Sequence, residues 1–332
     1  MDPNRIVDMA SAFYESAALF AASDLGVFAK LAELGPAGLE TVVSACGLDR
    51  RGGRILLDAC VALGLLEKEE GRYKNTPEAA LFLVPGSPAD LSGAIRYNRD
   101  VYGAWGRLKE MALTGRPVEK PEIHLGADPD RTRTFVMAMH GRALGIGRAV
   151  VPLLDLAGRR RVLDVGGGPG TYSVLIAEAH PGLECVVLDL APVAAIAAEI
   201  IGRAGLAGRV RTLAGDYHAT AFPGGFDAVL FFGVLHQEEP EAIRGLLRRA
   251  HDALAPGGLV YILDMMTDPS RARPKFSALF GVNMALTAEN GWVFSDEDLG
   301  SWLAEAGFRD LSIRPLGPPM PHWLASARKP GP

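Results

Sequence analysis

The stretch "VLDVGGGPGTY", Val162 to Tyr172, constrains the fold more than any other part of the chain. It runs from a β-branched segment through a glycine cluster into a helical pattern. Glycines at such a turn adopt positive φ and let the backbone approach a ligand closely. After Gly158 the same rhythm repeats. Short β-rich runs ("RVLDV", "ECVVLD", "RVRTLAG", "FDAVLFF", "GLVYILDM", "FRDLSIRP", "HWLASAR") alternate with helical segments. That alternation predicts a mostly parallel, doubly wound α/β sheet with ligands at the carboxyl ends of its strands. Only "LGPPMP" separates the last two runs, too short for a parallel crossover, so the final strand is expected to be antiparallel.

The part before about residue 150 reads differently. Phe13, Ala17, Phe20 and Ala21 make one apolar helix face. A short helix, a turn at Gly47, a helix through "RILLDACVALGLL" and a hairpin over Gly71 form the order of a winged helix-turn-helix. Arg50, Arg51 and Arg54 flag its second helix, as in DNA-binding units. The adjoining "EKEE" is acidic and the net charge is -5, so packing against a partner chain is the expected role, with no nucleic-acid partner. The expected division is 1–150, mainly helical, and 151–332, ligand-binding.

The chain has 332 residues, 48% of them hydrophobic, enough for two cores. No apolar run reaches the roughly 18 residues of a membrane span, and the N-terminus lacks the order of a secretory signal. Cys46, Cys60 and Cys185 are far apart and show no metal spacing, so they read as reduced thiols in a cytoplasmic protein.

The glycine spacing narrows the ligand. A dinucleotide fingerprint needs G-x-G-x-x-G. From Gly166 this chain has Gly166, Gly168 and Gly170, with Thr171 where the third glycine would fall. Asp164 precedes them. This D-x-G-x-G-x-G pattern resembles motif I of the S-adenosylmethionine (SAM) dependent methyltransferases. Asp189, at the end of "VVLDL", lies where an acid accepts from ribose hydroxyls. The resemblance implies that Asp216 in "AGDY" addresses the adenine amino group and that Tyr217 covers the ring. Leu190 and Phe231 complete the expected cofactor contacts.

His236 follows the fourth run of the α/β half, in "FDAVLFFGVLH". A helical half with a winged helix, then "VLH" after strand four and "LAPGG" before strand five, resembles the small-molecule O-methyltransferase family over about residues 12–328. Membership implies a homodimer joined through the N-terminal half. It also implies in-line methyl transfer to a small, aromatic or lipophilic acceptor, with His236 as general base. A phenol with a pKa near 10 is little ionised at neutral pH, and an imidazole titrating near 6.5 can take its proton. The acid expected to orient the imidazole is Asp264 in "YILDMM". The sequence departs from the family pattern in two places. Gln237 follows the histidine where an acid or asparagine is usual, and Val293 and Phe294 replace the family's acidic and basic pair.

The resemblance places the acceptor among Phe135, Met139 and His140 of "RTFVMAMHGRAL" and Phe276, Phe280, Asn283 and Met284 of "FSALFGVNMAL". Asn283 is the polar anchor, and Phe13 and Tyr14 reach toward a partner subunit. His124, His218, His251 and His322 share no ligand pattern, and no metal is expected. C- or N-methylation of an aromatic molecule or tetrapyrrole is the alternative. A more remote one is a winged-helix regulator that senses SAM. The glycine spacing argues against a nicotinamide oxidoreductase.

Overall fold

The computed structural model describes residues 3–119, 126–318 and 320–331. The chain falls into two compact units that divide between Asp100 and Val101. This is ahead of the expected 150, because the long helix Pro129–Val150 packs on helices of the second unit.

The first unit begins with α1 (Asn4–Ser11), α2 (Phe13–Asp24) and α3 (Val27–Leu34). Next come β1 (Ala37–Gly38), α4 (Leu39–Cys46), α5 (Arg50–Ala62), β2 (Leu66–Glu69), β3 (Arg72–Asn75) and α6 (Pro77–Phe82). The strands form an antiparallel sheet in the order β1-β3-β2. The winged-helix order is therefore present, with α4 and α5 flanking Gly47 and a wing turning at Gly71. Asp49 starts α5 by accepting the amides of Arg51 and Gly52 at 3.0 and 2.9 Å. Phe28, Leu57, Cys60, Leu66 and Tyr73 fill the core. Basic residues of this module pair with acids: Arg50 with Glu40, Lys68 with Asp58, and Lys74 with Glu67 and Glu69. Ile6, Val7, Met9, Phe13 and Tyr14 are exposed.

α7 (Ser92–Trp105) crosses the division, followed by α8 (Leu108–Thr114) and α9 (Pro129–Val150). The second unit then alternates β4 (Arg161–Val165), α10 (Thr171–Ala179), β5 (Glu184–Asp189), α11 (Ala191–Arg203), β6 (Val210–Ala214), β7 (Phe226–Phe232), α12 (Pro240–Ala253) and β8 (Leu254–Asp264). α13 (Lys275–Thr287), α14 (Asp296–Glu305), β9 (Arg309–Pro315) and β10 (Trp323–Arg328) complete it. Seven strands lie in the order β6-β5-β4-β7-β8-β10-β9. Pairing is parallel from β6 to β8, and β10 runs antiparallel to both neighbours, as the short final connection requires.

Side chains alternate across this sheet. Leu163, Val229, Phe231, Val260 and Ile262 meet α12 and α14 on one face. Val162, Ala228, Leu230, Phe232 and Leu263 lie on the other, with Val174 and Ile176 of α10 and Ala197 and Ile201 of α11. Among the described residues no helix is long and apolar enough to cross a membrane. No group of His, Cys, Asp and Glu among them could hold a metal ion.

α14 is fixed at its start by a reciprocal cap. Ser295 Oγ accepts the Asp298 amide at 3.1 Å, and Asp298 Oδ2 accepts the Ser295 amide at 2.8 Å. Thr267 and Ser295 also form a bridge that ties this start to the chain leaving β8. Ser295→Ala is expected to cost about 1 kcal/mol of stability. Urea unfolding followed by tryptophan fluorescence checks it, since Trp302 lies within the same helix.

Candidate active site

The sheet's strand order reverses between β4 and β7, where an open α/β sheet forms a crevice. The glycine turn after β4 lies at this point. Gly166 has φ +63°, and a Cβ there would stand 2.7 Å from Val234. Gly167, in an unspecified position of the motif, is equally constrained: a Cβ there would stand 2.7 Å from the Asp164 carboxyl carbon. The loop is therefore pressed onto the acid that precedes it.

Asp164 is fully buried, and its Oδ2 accepts from Ser173 Oγ at 2.7 Å. Burial pushes its carboxyl up to about 6; Asp189 adds to the rise and Ser173 opposes it. Its Oδ1 has no hydrogen-bond partner. Asp189, ending β5, accepts the Gly168 amide at Oδ2 and its neighbour Leu190's amide at Oδ1, both at 2.7 Å. Burial raises its carboxyl, and these two amides oppose the shift. Each Asp189 oxygen retains a lone pair for a further donor. Gly170 closes the turn through its amide to the Gly167 carbonyl at 2.9 Å and begins α10. Asp216 is exposed and accepts the His218 amide, while the Tyr217 ring lies beside Gly166. An unpartnered buried oxygen, two half-used carboxylate oxygens and a glycine-rich loop fit a ligand rich in hydroxyl and amino donors, as a nucleoside with an amino-acid tail is.

His236 sits in a 3-10 turn, Leu235–Gln237, directly after β7, and is 8% exposed. Its Nδ1 lies 2.6 Å from Oδ1 of Asp264, the last residue of β8. The amides of Met265 and His236 donate to the same carboxylate, at 2.8 and 3.3 Å. A carboxylate so placed keeps the proton on Nδ1 and the lone pair on Nε2. Phe280 meets the imidazole edge-to-face at 5.2 Å. Phe280, Met284, Met265 and Val293 form one buried cluster. Asn283 is buried beside it, and its Oδ1 accepts from Trp105 Nε1 at 3.0 Å.

The other expected contacts differ in burial and surroundings. Phe231 is fully buried on the α12 and α14 face, so its ring fills the core and presents nothing to a ligand. Phe276 is 52% exposed and joins no buried cluster. Phe135 and Leu190 pack with Val193, Ile196 and Ile200, and Met139 is partly buried. His140 Nδ1 lies 2.7 Å from Thr171 Oγ1, at the exit of the glycine turn. His124 lies outside the described residues.

Two buried polar residues here carried no signal in the sequence. Glu238 is 5% exposed and bonds to Tyr217 and His218. His322, beside β10, has a buried Nδ1 without a partner. Burial pushes its imidazole down to about 4; the Arg142 charge adds to this, and Asp264 opposes it.

Two tests follow from this geometry. Phe231→Ala should lose about 3–5 kcal/mol of stability yet bind S-adenosylhomocysteine like the parent, whereas Asp189→Asn, which keeps an oxygen for one of the two amides, should lose binding with a smaller loss of stability. Calorimetric titration beside chemical unfolding separates the two. His322 has a folded pKa below its unfolded one, so between pH 6.5 and about 4 the unfolded chain takes up the proton first. Stability is thus retained above 6.5 and lost as pH falls through this window. His322→Asn should show a shallower loss over the same range in acid-unfolding curves.

Comparison with known proteins supplies the family. A model of the O-methyltransferase domain matches residues 121–309, and one of the O-methyltransferase dimerisation domain matches 7–85. The 3-hydroxy-5-methyl-1-naphthoate 3-O-methyltransferase of Streptomyces sahachiroi is 35% identical over 93% of this chain and 90% of its own. The N,N-dimethyltransferase OxyT of Streptomyces rimosus is 32% identical over 98% and 96%. Human N-acetylserotonin methyltransferase, solved with SAM, superposes with a TM-score of 0.88 at 27% identity, covering 98% of this chain and 97% of that one. The chain belongs to the O-methyltransferase family and is a SAM-dependent methyltransferase acting on small molecules.

Proposed function

We propose that the protein moves a methyl group to a hydroxyl of a small aromatic or lipophilic acceptor, with His236 as general base and Asp264 as its orienting carboxylate. The observation that carries this is the 2.6 Å contact between His236 Nδ1 and Asp264. It lies in the turn after β7, next to the strand that opens into the glycine loop.

SAM, when bound, supplies a methyl group already activated on a sulfonium. In this reading Asp164, Gly166, Gly168, Gly170, Asp189 and Leu190 hold it, with Asp216 and Tyr217 on the adenine. His236 Nε2 takes the proton of the acceptor hydroxyl, and Asp264 stabilises the imidazolium that results. Such assistance is worth about 10²–10⁴ in rate. Three donors to the Asp264 carboxylate fix its position, so the imidazole is oriented before an acceptor arrives. The second acid of the family pattern is absent at Val293, which instead packs with Phe280 and Met284. His236 then works with Asp264 alone.

The apolar neighbours of His236 suit a planar, lipophilic acceptor, with Asn283 as the polar anchor held by Trp105. The naphthoate relative acts on an aromatic of this kind. A homodimer is supported by the dimerisation-domain match and by the exposed apolar side chains of α1 and α2. The N,N-dimethyltransferase relative and an L-tyrosine C(3)-methyltransferase of Streptomyces lavendulae support nitrogen and carbon as the alternative acceptor atoms.

His236→Ala should lower turnover about 10²–10⁴-fold with S-adenosylhomocysteine affinity unchanged. Asp264→Asn should lower it too, by favouring the wrong tautomer. Transfer of label from methyl-labelled SAM to a panel of phenols and anilines checks both variants and identifies the acceptor atom. Near-parental turnover in His236→Ala would remove the general-base role.

A further inference from the structure

A buried carboxylate ties the turn that carries His236 to the glycine loop. Glu238 lies two residues after His236 and is 5% exposed. Its Oε1 accepts from the Tyr217 hydroxyl at 2.6 Å and lies 3.2 Å from His218 Nε2. Its own amide donates to the Leu235 carbonyl at 3.1 Å, which closes the turn. Trp292 clamps the same segment. Its indole Nε1 donates to the Glu238 carbonyl at 2.6 Å, and its amide donates to the His236 carbonyl at 3.0 Å. At the other end, Tyr217 Cε1 lies 3.5 Å from where a Cβ on Gly166 would stand. Arg249 anchors the Tyr217 carbonyl at 2.5 Å. Burial and the neighbouring Glu238 carboxylate keep the Tyr217 hydroxyl protonated, so it is the donor in this pair.

We propose that the Tyr217–Glu238 pair is a strut through which occupation of the nucleoside site orders the His236 turn, with Glu238 as a positioning residue. This rests on the reading that the adenine lies against Tyr217. A ligand stacked on that ring restricts it. The hydroxyl then fixes Glu238, and Glu238 fixes the backbone from which His236 projects. A buried carboxylate that loses its phenolic donor keeps the longer His218 contact and is less well satisfied, so the turn opens more readily when the ring moves away. The reactive imidazole is thereby held firmly when a methyl donor is in place and less firmly before.

Hydrogen–deuterium exchange of the full-length protein, with and without saturating S-adenosylhomocysteine, tests the strut. The parent, Tyr217→Phe, Glu238→Leu and Glu238→Gln are compared. Glutamine can still accept from the phenol, so it serves as the rescue. In the parent and in Glu238→Gln the ligand should protect both the glycine loop (166–170) and the His236 turn (233–238). In Tyr217→Phe and Glu238→Leu it should protect the glycine loop alone. A simple stabilising hydrogen bond would shift protection of the turn equally with and without ligand. Equal ligand-induced protection of the turn in all four proteins would overturn the strut. Should Glu238→Leu fail to fold, Tyr217→Phe and Glu238→Gln decide. Absence of ligand protection at the glycine loop of the parent would overturn the nucleoside-site reading, and the strut with it.

Discussion

The parallel pairing of β4 with β5 and β7, and of β7 with β8, is the constraint on which the rest depends. Strands that run the same way in register end on the same edge. Four residues far apart in sequence therefore gather at one rim: Asp164 and Asp189 beside the glycine turn, His236 and Asp264 beside it in the sheet. An antiparallel arrangement of the same runs would send alternate ends to opposite rims and separate the imidazole from its carboxylate. The antiparallel β10 enters only beyond β8, where it seals the sheet without disturbing this order.

The rim is costly in polar groups, and the chain answers with local hydrogen bonds. Asp189 uses two amides, Asp264 uses an imidazole and two amides, and Asp164 uses one hydroxyl. A buried carboxylate with several donors is rigid, because moving it leaves those donors unpaired. Rigidity of this kind suits orientation of a base and a ligand. Among the described residues of the second unit, Asp164 Oδ1, His322 Nδ1, Thr267 Oγ1, Ser277 Oγ and Trp323 Nε1 are buried without a partner.

Much of this was legible in the sequence because it rests on order along the chain. The glycine spacing, the strand-end acids and the histidine after the fourth α/β strand each depend on a neighbour a few residues away, which spacing reports. The antiparallel last strand followed from the length of one loop. Where side chains point was harder to read. Phe231 alternates with Leu230 and Phe232, and period-two reasoning alone assigns it to the α12 and α14 face. Closeness in sequence to the rim does not by itself tell which face it takes. Phe276 lies a turn before Phe280 on α13, yet it is exposed while Phe280 meets His236. Glu238 and His322 look like ordinary surface residues in the sequence. Only the tertiary fold buries them, through contacts with Tyr217 and with the turn before β10. The division between the units was also hidden, because α9 is helical like the first unit but packs with the second.

A crystal structure with S-adenosylhomocysteine tests the central claim most directly. The account predicts adenosine against the glycine loop and the Tyr217 ring, its ribose on Asp189, and its sulfur facing His236 Nε2 across a space the size of a small aromatic ring. Density for the nucleoside at another edge of the sheet, or an imidazole turned from the sulfur with no space between them, would contradict it.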